Sequence, residues 1–169
     1  MKKVLGLCAM LFCATPALAA PTAQVGFSPE GTAETLVLSV IDSAKSEIRM
    51  MAYSFTAQDV VAALVRAKER GVNVALVLDE RGNRDNYSQR AIRRLREAGI
   101  PVRLDSVYAI QHDKVIITDG RNVETGSFNF THAAEHKNSE NAVVIWDMPS
   151  LAGAFLDHWK IRWNNGHDA

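Results

Sequence analysis

Cysteine is nearly absent from the sequence: the chain has two, Cys8 and Cys13, and none after position 13. The rest of the chain therefore has no disulfide, no thiolate metal site and no cysteine nucleophile. Five prolines and ten glycines in 169 residues exclude a collagen-like chain and a Pro/Gly-rich disordered one. Neither sign of charge dominates, since 19 Lys and Arg balance 19 Asp and Glu. This balance argues against a protein that is basic throughout, but it allows a local basic site.

Long apolar runs are also missing, apart from one at the N-terminus. Lys2 and Lys3 precede an apolar run over residues 4–14, and the small-x-small pattern Ala17-Leu18-Ala19 follows it. The run is shorter than the roughly 20 residues of a membrane span, and the pattern is typical of a secretory signal peptide. We therefore expect residues 1–19 to be removed and residues 20–169 to form one domain in the periplasm or outside the cell. The removal takes away two lysines and no acidic residue, which leaves a net charge of −2.

Helical and strand patterns alternate along residues 20–169. Apolar residues spaced three or four apart predict a helix with its start at Ser28-Pro29, a second with a capping box at Thr56–Asp59, and others over 88–98 and 149–163. Strands are predicted over 48–55, 72–78, 100–104, 115–118, 122–128 and 141–146. This order predicts an α/β fold in which a mixed β-sheet has helices on both faces.

Chemically active side chains cluster in a hairpin predicted around Asp119-Gly120-Arg121. His112 and Lys114 alternate along one strand, as Ser127 and Asn129 do along the next, so the members of each pair share a face. A two-residue turn, at 120–121 or at 119–120, puts all four on one face, whereas a three-residue loop with a bulge would break this arrangement. An imidazole can attack phosphorus or protonate a leaving oxygen, and the ammonium, hydroxyl and amide can hold phosphate oxygens.

The motif resembles the signature of the phospholipase D superfamily, H-x-K-x4-D followed by G-S-x-x-N. The Asn here falls two residues after the Ser, in a G-S-x-N form. The matching residues are His112, Lys114, Asp119, Gly126, Ser127 and Asn129. The single motif copy and the run over 124–131 are similar to the small secreted bacterial endonucleases of that superfamily. The resemblance extends over essentially all of residues 20–169.

The resemblance implies a two-step mechanism. His112 attacks the phosphodiester to form a phosphohistidine, and a second motif histidine protonates the leaving oxygen and then activates water. Because one motif supplies one histidine, we expect a homodimer that pairs two copies across a two-fold axis. The resemblance also implies that Lys114, Ser127 and Asn129 bind phosphate and that the Glu140 carboxylate hydrogen-bonds the imidazole.

Two interpretations stay open for Asp119. It belongs to the motif and is a catalytic candidate, but its strand parity is opposite to that of His112. A residue in a hairpin turn that orients its neighbours fits the sequence equally well.

The sequence predicts no metal and no cofactor. His132 and His136 are four residues apart, which would suit a metal on a helix, but the spacing reveals no third ligand. A polar helix or loop face is therefore expected, and activity should survive a chelator.

An arginine-rich segment is the candidate path for a polyanion. Residues 81–103 carry seven arginines against two acidic residues. Such a cluster is either a solvated helix face or a nucleic-acid contact surface. The path residues proposed from the sequence are Arg81, Arg84, Arg90, Arg93 and Arg94.

The leading prediction is a nuclease with little sequence specificity, since nothing in the sequence resembles a base-reading module. The alternatives are a lipid or small-molecule phosphodiesterase and an inactive nucleic-acid-binding module.

Overall fold

A computed structural model describes residues 20–169, so the predicted signal peptide over 1–19 lies outside the described residues. These residues form one eight-stranded mixed sheet with helices on both faces, which confirms the predicted fold class. Within this range, no helix combines the length and the apolar composition that a membrane crossing needs.

The sheet has the strand order β1-β7-β6-β5-β2-β3-β4-β8. Its strands are β1 (Thr22–Ser28), β2 (Glu47–Ala52), β3 (Asn73–Asp79), β4 (Val102–Asp105), β5 (Lys114–Thr118), β6 (Asn122–Gly126), β7 (Glu140–Trp146) and β8 (His167–Asp168). The helices are α1 (Thr32–Ser43), α2 (Gln58–Glu69), α3 (Asn86–Glu97), α4 (His132–His136) and α5 (Pro149–Asn165), with a 3-10 turn at Arg81–Asn83. Strands β2, β3 and β4 run parallel, and the other neighbours are antiparallel.

The two faces of the sheet are covered unequally. Helices α1, α2 and α3 bury the larger core, whose bulkiest side chains are Phe55, Phe128 and Phe130. On the other face α5 packs Trp159 against side chains of β2, β3, β5 and β6. The α5 core contains no residue of β1 or β7, and Val25 and Phe27 of β1 are 56% and 51% exposed. An apolar part of this face is therefore left open at the β1 edge of the sheet.

Two helix starts differ from the prediction. The first helix begins at Thr32 and not at Pro29, because Gly31 before it has a left-handed backbone with φ 84°. The capping box predicted at Thr56–Asp59 is also wrong. Ala57 precedes α2 without a side-chain cap, and the N–H groups of Thr56 and Ala57 donate to the Phe130 carbonyl at 2.8 and 3.0 Å. These bonds attach the start of α2 to the segment that follows β6.

The hairpin turn has three residues, so the predicted two-residue turn is wrong. Thr118 pairs with Asn122, and the backbone of Asp119 and Gly120 between them is left-handed, with φ 53° and 61°. Asp119 accepts this conformation because aspartate tolerates the left-handed region better than most residues do. The resulting register changes how the site is assembled.

Candidate active site

The motif residues meet at one end of the sheet, where several strands begin or end. Lys114 begins β5 opposite Ala52, the last residue of β2, and Glu140 begins β7. Ser127 directly follows β6, whose last residue, Gly126, pairs with Ala142. The carboxyl ends of the parallel strands β2 and β3 lie at the same end of the sheet, and α/β sheets commonly bind ligands there.

A β-bulge brings Ser127 to this end of the sheet. With the three-residue turn, strict alternation would put Ser127 and Asn129 on the face away from Lys114. The N–H groups of Ser127 and Phe128 instead both donate to the Asn141 carbonyl, at 3.1 and 3.2 Å, so one residue is inserted into the ladder. Phe128 consequently enters the core while Ser127 is exposed at the strand ends. The expected gathering of the motif on one sheet face is therefore corrected to a cluster at the ends of the strands.

His112 presents an exposed imidazole at the end of the loop before β5. Its ring lies against the Tyr53 ring, with 4.8 Å between the centroids and an angle of 56° between the planes. Below it, the Lys114 ammonium donates to the His112 carbonyl at 2.9 Å and lies 5.5 Å from the centre of the Tyr53 ring. The ring thus rests against Tyr53 and the His112 backbone is held by Lys114, while the imidazole stays exposed to solvent.

Lys114 is a cation held in a nearly closed environment, because its side chain is only 7% exposed. Burial lowers the pKa of Lys114, and the nearby charges of Asp113 and Glu140 oppose this shift. The charge interacts strongly with an incoming phosphate because little water screens it.

Glu140 contacts the phosphate-binding candidates rather than the imidazole. Its carboxylate accepts from the Ser127 hydroxyl at 2.6 Å and from the Asn138 amide at 2.9 Å. The backbone N–H of Asn141 donates to the same hydroxyl at 3.0 Å. Within the described residues of a single chain no hydrogen bond joins Glu140 to His112, and the carboxylate orients Ser127. The expected bond to the imidazole stays a prediction.

Asn129 lies beyond the bulge and is half-buried. Its side-chain carbonyl is shielded from solvent and has no hydrogen-bond partner among residues 20–169. Buried polar groups are normally paired, so this oxygen is a ready contact for a bound molecule.

Asp119 does not join the cluster, since it lies at the opposite end of β5. Its carboxylate accepts from the backbone N–H groups of Lys45, Ser46 and Glu47 and from the Ser46 hydroxyl, at 2.8 to 3.2 Å. The catalytic interpretation of Asp119 is corrected, and the turn interpretation agrees with these contacts.

Two buried residues that the motif does not include hold Tyr53 and His112 in place. Asp79, at the end of β3, accepts from the N–H groups of Gln111 and Gly82 at 2.8 and 2.6 Å. Asn83 donates to the Tyr53 carbonyl at 2.6 Å and accepts from the Phe55 N–H at 2.9 Å. The sequence signal for Tyr53 and Asp79 was their position directly after, or at the end of, a buried parallel strand.

The predicted arginine path begins beside Tyr53. Gly82 touches Tyr53 so closely that a Cβ added to it would lie 2.8 Å from the Tyr53 carbonyl oxygen, which places Arg81 next to the site. Arg84 pairs with Glu80 at 2.7 Å, and the Arg90 guanidinium lies 4.6 Å from the centre of the Tyr87 ring. The five path residues, Arg81, Arg84, Arg90, Arg93 and Arg94, are all exposed.

A second group of chemically active side chains lies on α4. Glu135 is 3% exposed, between His132 and His136, which are both exposed. Burial, together with the negative charges of Glu34 and Asp59, raises the pKa of Glu135 to about 7. The sequence prediction missed Glu135 as a possible third ligand beside the two histidines.

Comparison with known proteins identifies the relatives of the chain. Residues 37–163 match the family model described as cardiolipin synthase, PLD-like domain. A phospholipase D of Rickettsia bellii is 40% identical over 136 residues, which are 80% of this chain and 66% of that protein. The human mitochondrial cardiolipin hydrolase is 31% identical over 160 residues, 89% of this chain and 62% of that protein. The chain thus spans a little under two thirds of these relatives.

A solved structure matches this chain over almost its own whole length. The phospholipase D family member Nuc from Salmonella typhimurium superimposes with a TM-score of 0.88 at 64% identity, over 89% of this chain and 99% of that one.

Proposed function

Because the chain belongs to the phospholipase D superfamily, we propose that it is a phosphodiesterase that cleaves nucleic acid through a covalent phosphohistidine at His112, in a homodimer. The observation that carries the proposal is the exposed imidazole of His112 against the Tyr53 ring, with the buried Lys114 ammonium bound to the His112 main-chain carbonyl and Ser127 at the same end of the sheet. A nucleophile, a cation and a hydroxyl thus lie at one end of the sheet, and transfer of a phosphoryl group requires a nucleophile together with groups that hold the phosphate oxygens.

In the first step the lone pair of a His112 ring nitrogen attacks phosphorus. The bond from phosphorus to the leaving oxygen breaks, and the oxygen keeps the electron pair and takes a proton. Lys114 stabilises the charge on the non-bridging oxygens, and the Ser127 hydroxyl does so when its proton turns from Glu140 to the phosphate. The site itself works without a metal in this scheme, since fixed donors hold the phosphate. Of the two carboxylates that act on Lys114, Glu140 is engaged with Ser127 and Asn138, and Asp113 with Gln111 and His158.

In the second step water replaces the histidine. The water loses a proton to a base, its oxygen attacks phosphorus, and the P–N bond returns its electron pair to His112. Nucleophile and leaving oxygen lie on opposite sides of phosphorus, so the acid and base must come from the side opposite His112. The motif occurs once in the sequence, and His112 of the partner subunit supplies this second imidazole in the proposed dimer.

The open apolar face at the β1 edge supports this assembly. It consists of Val25 and Phe27 on β1 with Val143 and Ile145 on β7, all on the side away from α1. Phe27 pairs with Asn141, whose N–H and carbonyl bond to Ser127, so the apolar face adjoins the phosphate-binding candidates. Burying this face against a second copy across a two-fold axis brings two sites towards each other.

Nucleic acid is the favoured substrate because of the arginine path. Its cations run from the loop next to Tyr53 along α3, on a domain that is slightly acidic as a whole. Contacts between arginine and the phosphate backbone carry no base information, so little sequence specificity is expected.

A lipid phosphodiester is the second candidate. The relatives include proteins named phospholipase D and mitochondrial cardiolipin hydrolase. Val107 and Ile110, in the loop that leads to His112, are 65% and 54% exposed, so apolar groups stand near the site. A loop of this kind could contact an acyl chain.

The place of action is also a proposal. The predicted signal peptide over 1–19 supports export to the periplasm or the medium. Fractionation of cells that express the full sequence tests it: a processed form in the periplasm or medium is expected, and an unprocessed form confined to the cytoplasm would contradict it.

A substrate panel tests the function. Purified protein is incubated in EDTA with plasmid DNA, single-stranded DNA, RNA, and vesicles that contain phosphatidylcholine or cardiolipin. We expect cleavage of nucleic acid at a rate well above that of lipid hydrolysis, and trapping of radiolabelled phosphate on His112. Faster lipid hydrolysis would favour the second candidate, and complete loss of activity in EDTA would contradict the metal-free mechanism.

A further inference from the structure

Helix α4 presents three potential metal ligands to one point. His132, Glu135 and His136 stand at positions i, i+3 and i+4 and therefore share a helix face. One ligand atom from each lies within 4.8 Å of the other two. We propose that these three side chains form a binding site for a divalent transition-metal ion of the zinc class, separate from the proposed active site.

The buried carboxylate of Glu135 is the strongest sign of a ligand. It is 3% exposed, and its Oε1 atom is shielded from solvent without a hydrogen-bond partner among residues 20–169. Its Oε2 atom lies 4.0 Å from His132 Nδ1 and 3.8 Å from His136 Nε2. Burying a carboxylate without a full set of partners is costly, and a cation between it and the imidazoles removes that cost.

The distances need only a small adjustment to bind metal. Bonds of about 2.0–2.2 Å from zinc to nitrogen and oxygen place tetrahedral ligand atoms about 3.4 Å apart. His132 and His136 are 69% and 50% exposed, so their rings are free to rotate. The gaps to close are about 0.4–0.6 Å towards Glu135 Oε2 and at most about 1.4 Å between any two ligand atoms. The backbone need not move, because the constrained ligand, Glu135, is already in place.

The surroundings of the three ligands are open and carry two further carboxylates, with the cation of Arg90 in the lining of the same cleft. The carboxylates of Glu34 and Asp59 lie close enough to act on Glu135, and Asp59 lines the same cleft as the three ligands. This cleft has a volume of about 720 Å³ and lies between α2, α3 and α4. It leaves room for water to complete the coordination, or for one of the nearby carboxylates to do so.

The ligand set selects the metal. Two imidazoles and one carboxylate suit zinc, cobalt, nickel or copper, whereas Mg²⁺ and Ca²⁺ prefer oxygen ligands only.

A metal ion on α4 also acts on the segment around it, since this helix lies in the chain between Asn129 and Glu140. A bound ion therefore stiffens the segment between two candidate site residues, and its first measurable effect is on thermal stability.

Calorimetric titration with Zn²⁺ tests the site, with untagged protein that has been freed of metal by chelator. We expect one ion per chain with a Kd tighter than about 100 μM. The melting temperature should rise by roughly 5–10 °C at free Zn²⁺ about 100 times the Kd. Co²⁺ should give the visible absorption of a four-coordinate ion. Zn²⁺ affinity weaker than this limit overturns the proposal.

Variants locate the ion. His132→Ala and His136→Ala should each weaken Zn²⁺ binding at least tenfold, and Glu135→Gln should do so while keeping the volume of the side chain. The matched control is His167→Ala, because His167 is an exposed histidine outside α4. Circular dichroism of the metal-free variants checks that they are folded. If the double variant H132A/H136A binds Zn²⁺ within tenfold of the unaltered protein, the ion lies elsewhere and the proposal is wrong.

Discussion

His112 is the residue on which the proposed chemistry depends most. Replacing it by Asn keeps a polar side chain beside Tyr53 but removes both the nucleophile and, in the dimer, the acid. We expect turnover of bis(p-nitrophenyl) phosphate to fall by at least 10²–10⁴-fold, the range for loss of acid–base catalysis alone. The melting temperature should hardly change because the imidazole is exposed.

His167→Asn is the control for this substitution, since it removes another exposed imidazole and should keep full activity. If the His112 variant kept more than a few per cent of the unaltered rate, the nucleophile would be a different residue.

Asp119 is a motif residue whose carboxylate stabilises the folded chain. Burial raises its pKa, but hydrogen bonds from Glu47, Ser46 and Lys45 outweigh this effect, so the pKa lies below its usual value. A carboxyl whose pKa is lower in the folded chain adds stability above its unfolded pKa of about 3.9, and this stability is lost as the pH falls through the folded pKa.

Asp119→Asn should therefore lower the free energy of unfolding at pH 7 by about 1–3 kcal/mol. In urea unfolding series this difference should shrink below about pH 4. Asp157→Asn, at an exposed position, serves as the control. Activity per folded molecule should be nearly unchanged, whereas a loss comparable to that of the His112 variant would restore the catalytic interpretation.

At the scale of elements, the apolar periodicity predicted most helices and the strands β2 to β7, because each of these carries a local pattern. Strand β1 was missed because its partner, β7, is more than a hundred positions away in the chain and five of its seven residues are exposed. Apolar periodicity also fails to predict the burial of Glu124, an acidic residue that is fully buried between Ile116 and Val144 of the neighbouring strands.

The site was predicted as a set of residue types and not as a geometry. Spacing along the chain found His112, Lys114, Ser127 and Asn129. How they come together depends on a turn that is one residue longer than predicted and on one bulge. Tyr53 comes from another strand, and only the sheet order brings it to His112. Long-range pairing of this kind leaves no local mark in a single sequence.

The arginines of α3 give a prediction that belongs to the helix as a unit. Replacing Arg90, Arg93 and Arg94 together by Gln should raise KM for DNA strongly and leave turnover of bis(p-nitrophenyl) phosphate almost unchanged, since the small ester reaches only the phosphate pocket. The difference for DNA should fade at high salt, because each lost phosphate contact removes roughly 0.7–0.9 from the slope of log affinity against log salt.

The control for α3 neutralises three cations that lie elsewhere, Arg66 on α2, Arg121 in the hairpin turn and Lys160 on α5. It changes the net charge equally and should have little effect on KM. If both triple variants behaved alike, the arginines of α3 would be a solvated face and DNA would follow another surface.

At the scale of the whole molecule, the open apolar face should hold the dimer together. Phe27→Glu places a charge on this face, so sedimentation should show a monomer, and activity should fall with the dimer fraction. Ile161→Glu is the matched control because Ile161 on α5 is 52% exposed against 51% for Phe27. A Phe27 variant that stayed dimeric would place the interface on another surface.

Mixed dimers test whether two subunits build one catalytic centre. When unaltered chains and His112→Asn chains carry different tags, tandem purification isolates the heterodimer. In-line displacement with one imidazole on each side of phosphorus requires both, so the heterodimer should be nearly as inactive as the double-variant dimer.

A heterodimer of unaltered chains with His167→Asn chains, prepared in the same way, should keep full activity and so exclude damage by the procedure. If the His112 heterodimer kept half of the activity of the unaltered dimer, each chain would work alone, and the acid and base would have to be found within residues of the same chain.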